Sequence, residues 1–247
     1  MTAFAPTWMG GQAEQLFRRH GEAVVEDVDV ATLVASTWWP QREQRRHAWT
    51  IGALQEWCAA VAFVELQQAL LAARAPVDLI GATGRFVADE MLHVELACQM
   101  AMAFGGGVPM PLEVDEVRPR VDRSLAPWQQ AAELAVRISC VGERVSAPWL
   151  SADYAAAADP VSRKVLARIA ADEAPHGAIG FLVLDWLEDR LDADERQRLG
   201  EVADDALAAL GEVLATRDDA DALVRRGVLA PLRRRNIPAG GSEFVVR

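Results

Sequence analysis

The chain has 247 residues, about half of them hydrophobic, and a formal net charge of −11. That length allows one large domain or two small ones with a sizeable core. The acidity argues against nucleic acid or an anionic membrane surface as the main partner. Alanine and leucine dominate and tyrosine occurs once, which favours an all-α fold. Three cysteines, Cys58, Cys98 and Cys140, stand far apart without a CxxC pair. They suggest a reducing, cytoplasmic compartment and argue against an iron–sulfur or zinc-ribbon unit. No basic start precedes an apolar core at the N-terminus, and charges break every apolar run, so neither a signal peptide nor a membrane span is expected.

Residues 1–44 read as a less regular entry, with one helix over Ala13 to Val25, a short second one near Val30, and Trp38-Trp39-Pro40 closing it. From Arg45 to Arg74 the apolar spacing is helical: Trp49, Ala53, Trp57, Val61, Val64, Leu66, Leu70. Glu65 falls inside its most apolar stretch, Ala-Val-Ala-Phe-Val-Glu-Leu. A glutamate there either snorkels to solvent or has a buried partner. Ala75-Pro76-Val77-Asp78 is a tight connection to a second helix, Val77 to Phe104, which Gly105-Gly106-Gly107 ends. Residues 105–123 form a long proline-containing link, enough to cross from one end of a bundle to the other.

A third helix starts near Ser124-Leu125-Ala126-Pro127 and runs to Glu143, with Pro148 stopping or bending it. Asp159-Pro160 opens a fourth, which continues to about Arg190. Amphipathic helices then fit Asp194 to Ala215 and Asp219 to Arg226. The basic triplet Arg233-Arg234-Arg235 either docks on the chain's own acidic surface, docks on a second subunit, or stays solvated. The expected architecture is one unit of 247 residues, with a four-helix bundle over 45–191 and flanking segments 1–44 and 192–247.

Two of the four histidines repeat one pattern: Asp89-Glu90-Met91-Leu92-His93 and Asp172-Glu173-Ala174-Pro175-His176. On a helix, residues three apart share a face, so each glutamate and histidine can grip one metal ion together. Glu65 precedes the first pair and Glu143 precedes the second, each from the helix before. Beside these pairs the ligand reading of Glu65 becomes the better one. His20 and His47 lack a partner pattern and read as non-ligands.

In ligand order, spacing and helix context, residues 45–191 resemble the ferritin-like di-iron and di-manganese carboxylate superfamily. The resemblance implies an antiparallel four-helix bundle with a long crossover between helices 2 and 3, and extra helical segments at both ends. It implies Glu90 and Glu173 as bridging ligands, Glu65 with His93 at one metal, and Glu143 with His176 at the other. It also implies that Asp89 supports His176 and Asp172 supports His93, each from the opposite helix. The implied cofactor is two iron ions, with two manganese ions or one of each suiting the same ligands.

Pro175 lies inside the second Glu-x-x-His, where a kink or local bulge is expected. The extra histidine of the amine N-oxygenase branch is replaced by Ile169, the single Tyr154 argues against a radical-generating reductase subunit, and no CxxC module of the rubrerythrin kind is present. Helical spacing places Phe86, Ile169 and Cys140 one turn before Glu90, Glu173 and Glu143, and Val61 and Ala69 beside Glu65. These five are the expected pocket, against ordinary core packing. The leading functional expectation is a di-iron enzyme that activates dioxygen to oxidise or oxygenate a small, largely apolar substrate. An external electron donor and a homodimer both fit it. The alternatives are a ferroxidase or iron-storage subunit, a peroxide scavenger, or a metal-free helical interaction protein.

Overall fold

The computed structural model describes residues 2–4, 7, 9–18, 39–112, 117–157 and 159–240. The expected helix near Val30, the C-terminal part of the expected Ala13–Val25 helix, His20 and Trp38 lie outside them. The described residues are predominantly helical, and no helix among them is long and apolar enough to cross a membrane. A short helix α1 covers Gly11–Arg18, and a two-residue strand β1 (Thr2–Ala3) pairs antiparallel with β2 (Pro111–Leu112).

Two long helices come next, α2 (Trp39–Ala72) and α3 (Val77–Ala103), packed along each other. Arg74, at φ 55°, turns the chain between them, and Pro76 stands just before the first turn of α3. Gly105 and Gly106, both at positive φ, end α3 in keeping with the glycine run. The crossover then returns over α2. Arg123 donates to Glu65 at 2.6 Å and Arg118 stands 3.6 Å from its other oxygen, so Glu65 anchors this strap.

The next rod is built of three pieces: α4 (Pro127–Ala135), a π-helical segment (Val136–Glu143) and α5 (Arg144–Ala156). Pro127 takes the first helical position, and the cap position is Ala126, not Ser124. The Ser124 amide instead closes a turn on Asp122 Oδ1 at 2.9 Å. The rod passes Pro148 and continues to Ala156, so that proline does not stop it. Helix α6 (Pro160–Trp186) begins as expected, with the Asp159 side chain accepting from the Ser162 amide at 2.7 Å. It is helical straight through Pro175, whose side chain is exposed, and the expected bulge there is absent. The widened turn lies instead in the facing rod. There α6 comes very close, because a Cβ at Gly180 would meet the Ala135 carbonyl oxygen and Cys140 Sγ, both at 2.7 Å.

Helix α2 packs on α3 and α4, α3 on α6, and α6 on the π segment and α5. The C-terminal helix expected to reach Ala215 breaks at Leu210 into α7 (Ala193–Ala209) and α8 (Gly211–Leu214). The last stretch is α9 (Ala220–Val224), a second π segment (Arg225–Leu229) and α10 (Ala230–Arg233). Their buried side chains Leu199, Leu207, Leu214, Val228 and Leu232 join one core with Phe63, Leu66, Leu134 and Val183 of the long helices. Each such side chain contributes roughly 1.5–3 kcal/mol when fully buried. The basic triplet partly docks on the chain itself: Arg235 holds Asp185 at 2.6 and 2.8 Å and lies over Phe181, and Arg233 donates to the Ala239 carbonyl.

Candidate metal centre

Glu90 and His93 lie on the inward face of α3, and Glu173 and His176 on the inward face of α6, all buried. Glu143 arrives from the end of the π segment. The close approach at Gly180 brings that segment against α6. Two sets of ligand atoms result, each within 4.8 Å of one another: Glu56, Glu90, His93 and Glu173, and Glu143, Glu173 and His176.

Both imidazoles turn Nδ1 toward the shared carboxylates. His93 Nδ1 stands 3.3 Å from Glu90, 3.2 Å from Glu173 and 3.5 Å from Glu56. His176 Nδ1 stands 2.9 Å from Glu90 and 3.1 Å from Glu173. Glu90 and Glu173 therefore touch both histidines, one carboxylate oxygen to each. Both Nε2 atoms face the aspartates on the opposite helix. His93 Nε2 meets Asp172 at 3.4 Å, and His176 Nε2 faces Asp89 at 3.9 Å, beyond hydrogen-bond range. Arg168 holds Asp172 at 3.0 Å and Arg85 holds Asp89 at 2.8 Å. Phe63 and Phe86 flank the His176 ring, with centroids 5.2 and 4.4 Å away.

Glu65 is not part of this cluster, which corrects the sequence expectation. Its carboxylate is taken by Arg123 and Arg118 of the strap. The α2 residue that reaches His93 is Glu56, nine residues earlier. Nine residues are two and a half helical turns, so the two glutamates face opposite sides of α2, roughly 13 Å apart along its axis.

The structure does not gather the five expected pocket residues in one place. Ala69 and Cys140 belong to the packed main core, Ile169 to a smaller apolar cluster, and Val61 is half-buried; Phe86 leans on the His176 ring. None of the five lines the cavity of about 960 Å³ found on the outer side of α2 and α3, between Trp57, Met91, Val94 and the N-terminal Phe4. No cluster ligand lines it either.

Electrostatics fits a cation site. Burial pushes Glu56 up to about 8 against the opposing pull of His93, and burial with the charges of Glu173 and Glu90 raises Glu143 well above the usual carboxylate range. Burial alone would lower both imidazoles. The surrounding carboxylates overcome it, holding His176 up at about 11 and raising His93 further. Glu173 is desolvated too, yet His176 and His93 hold it down at about 2. Both oxygens of Glu90 and Nδ1 of His93 are buried without a hydrogen-bond partner, although carboxylate and imidazole atoms crowd them at short distance. Buried polar atoms left so are costly, and charge-bearing ones most of all. Four carboxylates with two neutral imidazoles carry four negative charges, which two divalent ions balance. The residues present therefore fit such ions by donor type, by count and by direction.

In comparison with known proteins, the chain matches no family model, no curated protein and no solved structure.

Proposed function

We propose that this protein is a ferritin-like di-metal carboxylate oxidoreductase, with two iron ions as the working cofactor. The observation that carries the reading is Glu90, whose two buried oxygens lack hydrogen bonds and stand between the two inward-turned imidazoles. Glu90 and Glu173, each within reach of both histidines, would be shared by the two positions. Glu56 and His93 would complete one position, and Glu143 and His176 the other. The packing of α2 on α3 and α4, of α3 on α6 and of α6 on α5 supports reading the long helices as a four-helix bundle with a crossover between its second and third members.

With these residues holding two ferrous ions, the site would supply electrons for reducing dioxygen. The chain's own residues do the rest. Asp172 holds the outer edge of His93, and Asp89 lies 3.9 Å from the outer edge of His176, so that Nδ1 of each imidazole is presented inward. Phe63 and Phe86 keep water from the His176 side. Ser146 hydroxyl, 3.4 Å from Glu143 Oε2, steadies the carboxylate that enters from the π segment. The substrate is a small, largely apolar molecule, and reducing equivalents for repeated turnover come from an external donor.

The test is metal analysis of the purified protein followed by dioxygen uptake on the anaerobically ferrous-loaded form. About two irons per chain with rapid uptake of dioxygen is the expected result. No bound metal would overturn the site. Iron accumulating far beyond two per chain would replace oxidase chemistry with storage.

A further inference from the structure

Six residues of α3, Met91, Val94, Glu95, Cys98, Ala101 and Met102, recur at intervals of one or three and so share a helix face, and none of them belongs to the metal cluster. Thr50, Ala53 and Trp57 make the matching face of α2. Between these two faces and the N-terminal Phe4 and Phe17 lies the outer cavity of about 960 Å³.

The roof of this cavity is tied down at both ends. The Phe4 amide donates to the Met110 carbonyl at 2.8 Å, next to the β1–β2 pairing, and the Phe4 ring stands edge-on to Trp57 with centroids 5.7 Å apart. Arg18, the last residue of α1, holds the buried Glu95 carboxylate through both terminal nitrogens, each at 2.6 Å. The roof therefore spans the two helices, and the small buried side chains Ala53 and Ala101 leave room beneath it. Apolar walls with nothing against them forgo contacts and weaken the fold. The volume is that of a small-molecule site.

Hydrogen bonding and charge decide the kind of molecule. The Thr50 hydroxyl already donates to the Arg46 carbonyl at 2.8 Å and accepts from the Val108 amide at 3.1 Å. Gln99 donates to Glu95 at 3.2 Å. Arg18 and Glu95 neutralise each other, so neither a cation nor an anion gains a partner there without breaking the pair. What remains on offer is apolar and aromatic surface: Phe4, Phe17, Trp57, Met91 and Val94. We infer that the outer cavity is a binding site, separate from the metal centre, for an uncharged hydrophobic molecule about the size of two or three aromatic rings.

The experiment uses the full-length protein with phenylnaphthylamine, an uncharged fluorescent probe, and with its sulfonated counterpart, anilinonaphthalene sulfonate. Saturable binding of about one phenylnaphthylamine per chain is expected, with the sulfonate at least about tenfold weaker. Cys98 lines the cavity, and Cys58, also half-buried, does not. Bound phenylnaphthylamine should slow alkylation of Cys98 by iodoacetamide at least about tenfold and leave Cys58 unchanged, read by peptide mass spectrometry. Cys98→Trp fills the space from a half-exposed position and should bind the probe at least about tenfold more weakly, with an unchanged circular dichroism spectrum. No saturable binding, equal alkylation of Cys98 with and without probe, or equal affinity in a folded Cys98→Trp would overturn the site. Equal affinity for the sulfonate would overturn its selectivity for uncharged molecules. Should Cys98→Trp fail to fold, the alkylation of the wild type decides alone.

Discussion

Glu90 Oε1 stands 2.9 Å from His176 Nδ1, across the contact between α3 and α6, in a place no water-facing surface reaches. In the metal-free fold the raised imidazoles of His176 and His93 are the cations that balance this buried carboxylate. Replacing Glu90 with leucine should therefore do two things. Metal binding should be lost at both positions, because this carboxylate touches both histidines. The metal-free chain should become less stable, by about 3–5 kcal/mol, because a buried imidazolium loses its partner. Denaturant unfolding of chelator-treated wild type and Glu90→Leu measures the second effect. Equal or higher stability in the variant would mean that the imidazoles do not depend on this carboxylate when metal is absent.

Glu56 and Glu65 share a helix and separate two roles. Glu56→Ala should remove one metal position, read as a fall in metal content by half. Glu65→Gln should leave metal content unchanged and loosen the strap by losing the charge that holds Arg123 and Arg118. Both arginines are half exposed, so the cost is modest, about 1 kcal/mol in a urea titration. Metal loss in Glu65→Gln with full content in Glu56→Ala would reverse the assignment.

The two Asp-Glu-x-x-His repeats make most of the cluster legible in the sequence itself. Their pattern puts four of the six side chains on one face of a helix each, and Glu143 precedes Glu173 at the right remove. Glu65 misleads because an apolar run points to a buried partner without saying which kind, and its partners are arginines from a strap 53 and 58 residues away. Hairpin register carries the missing signal. Glu56 lies sixteen residues before the end of α2 at Ala72, and His93 sixteen residues after the start of α3 at Val77, so antiparallel helices bring them level. Glu65, seven residues from that end, is level with Gly84 instead. The π segment is not legible, since one extra residue per turn leaves no mark in an apolar pattern. Nor is the large outer cavity, because it depends on how the N-terminal strand lies against α2 and α3.

Pro175 sits in an unbroken helix with its ring exposed, between two side chains of the cluster. It removes one backbone hydrogen bond, while its stiffness limits the unfolded chain. Pro175→Ala should raise stability by roughly 2 kcal/mol and leave metal content as it is. A loss of metal in this variant, with the fold intact by circular dichroism, would show that the proline aims His176.

Proton binding gives the sign of the pH dependence. In the metal-free fold Glu56 is raised from an ordinary 4.5 to about 8 and His176 from 6.5 to about 11. The folded chain then holds protons that the unfolded chain has released. The stability these groups lend is full below 4.5 for Glu56 and below 6.5 for His176, and it is lost as pH rises through 8 and 11. Glu173, held down at about 2, acts oppositely: its contribution is present above 4.5 and fades as pH falls through 2. Metal-free protein should therefore melt at a lower temperature at about pH 8 than at about pH 6. Metal binding must displace the same protons, so affinity rises over this window. The gap in melting temperature between manganese(II)-loaded and chelator-treated protein should widen from about pH 6 to about pH 8. A gap that narrows would mean that Glu56 and His176 do not have to lose protons to hold the ions, and the ligand set would have to be redrawn without them.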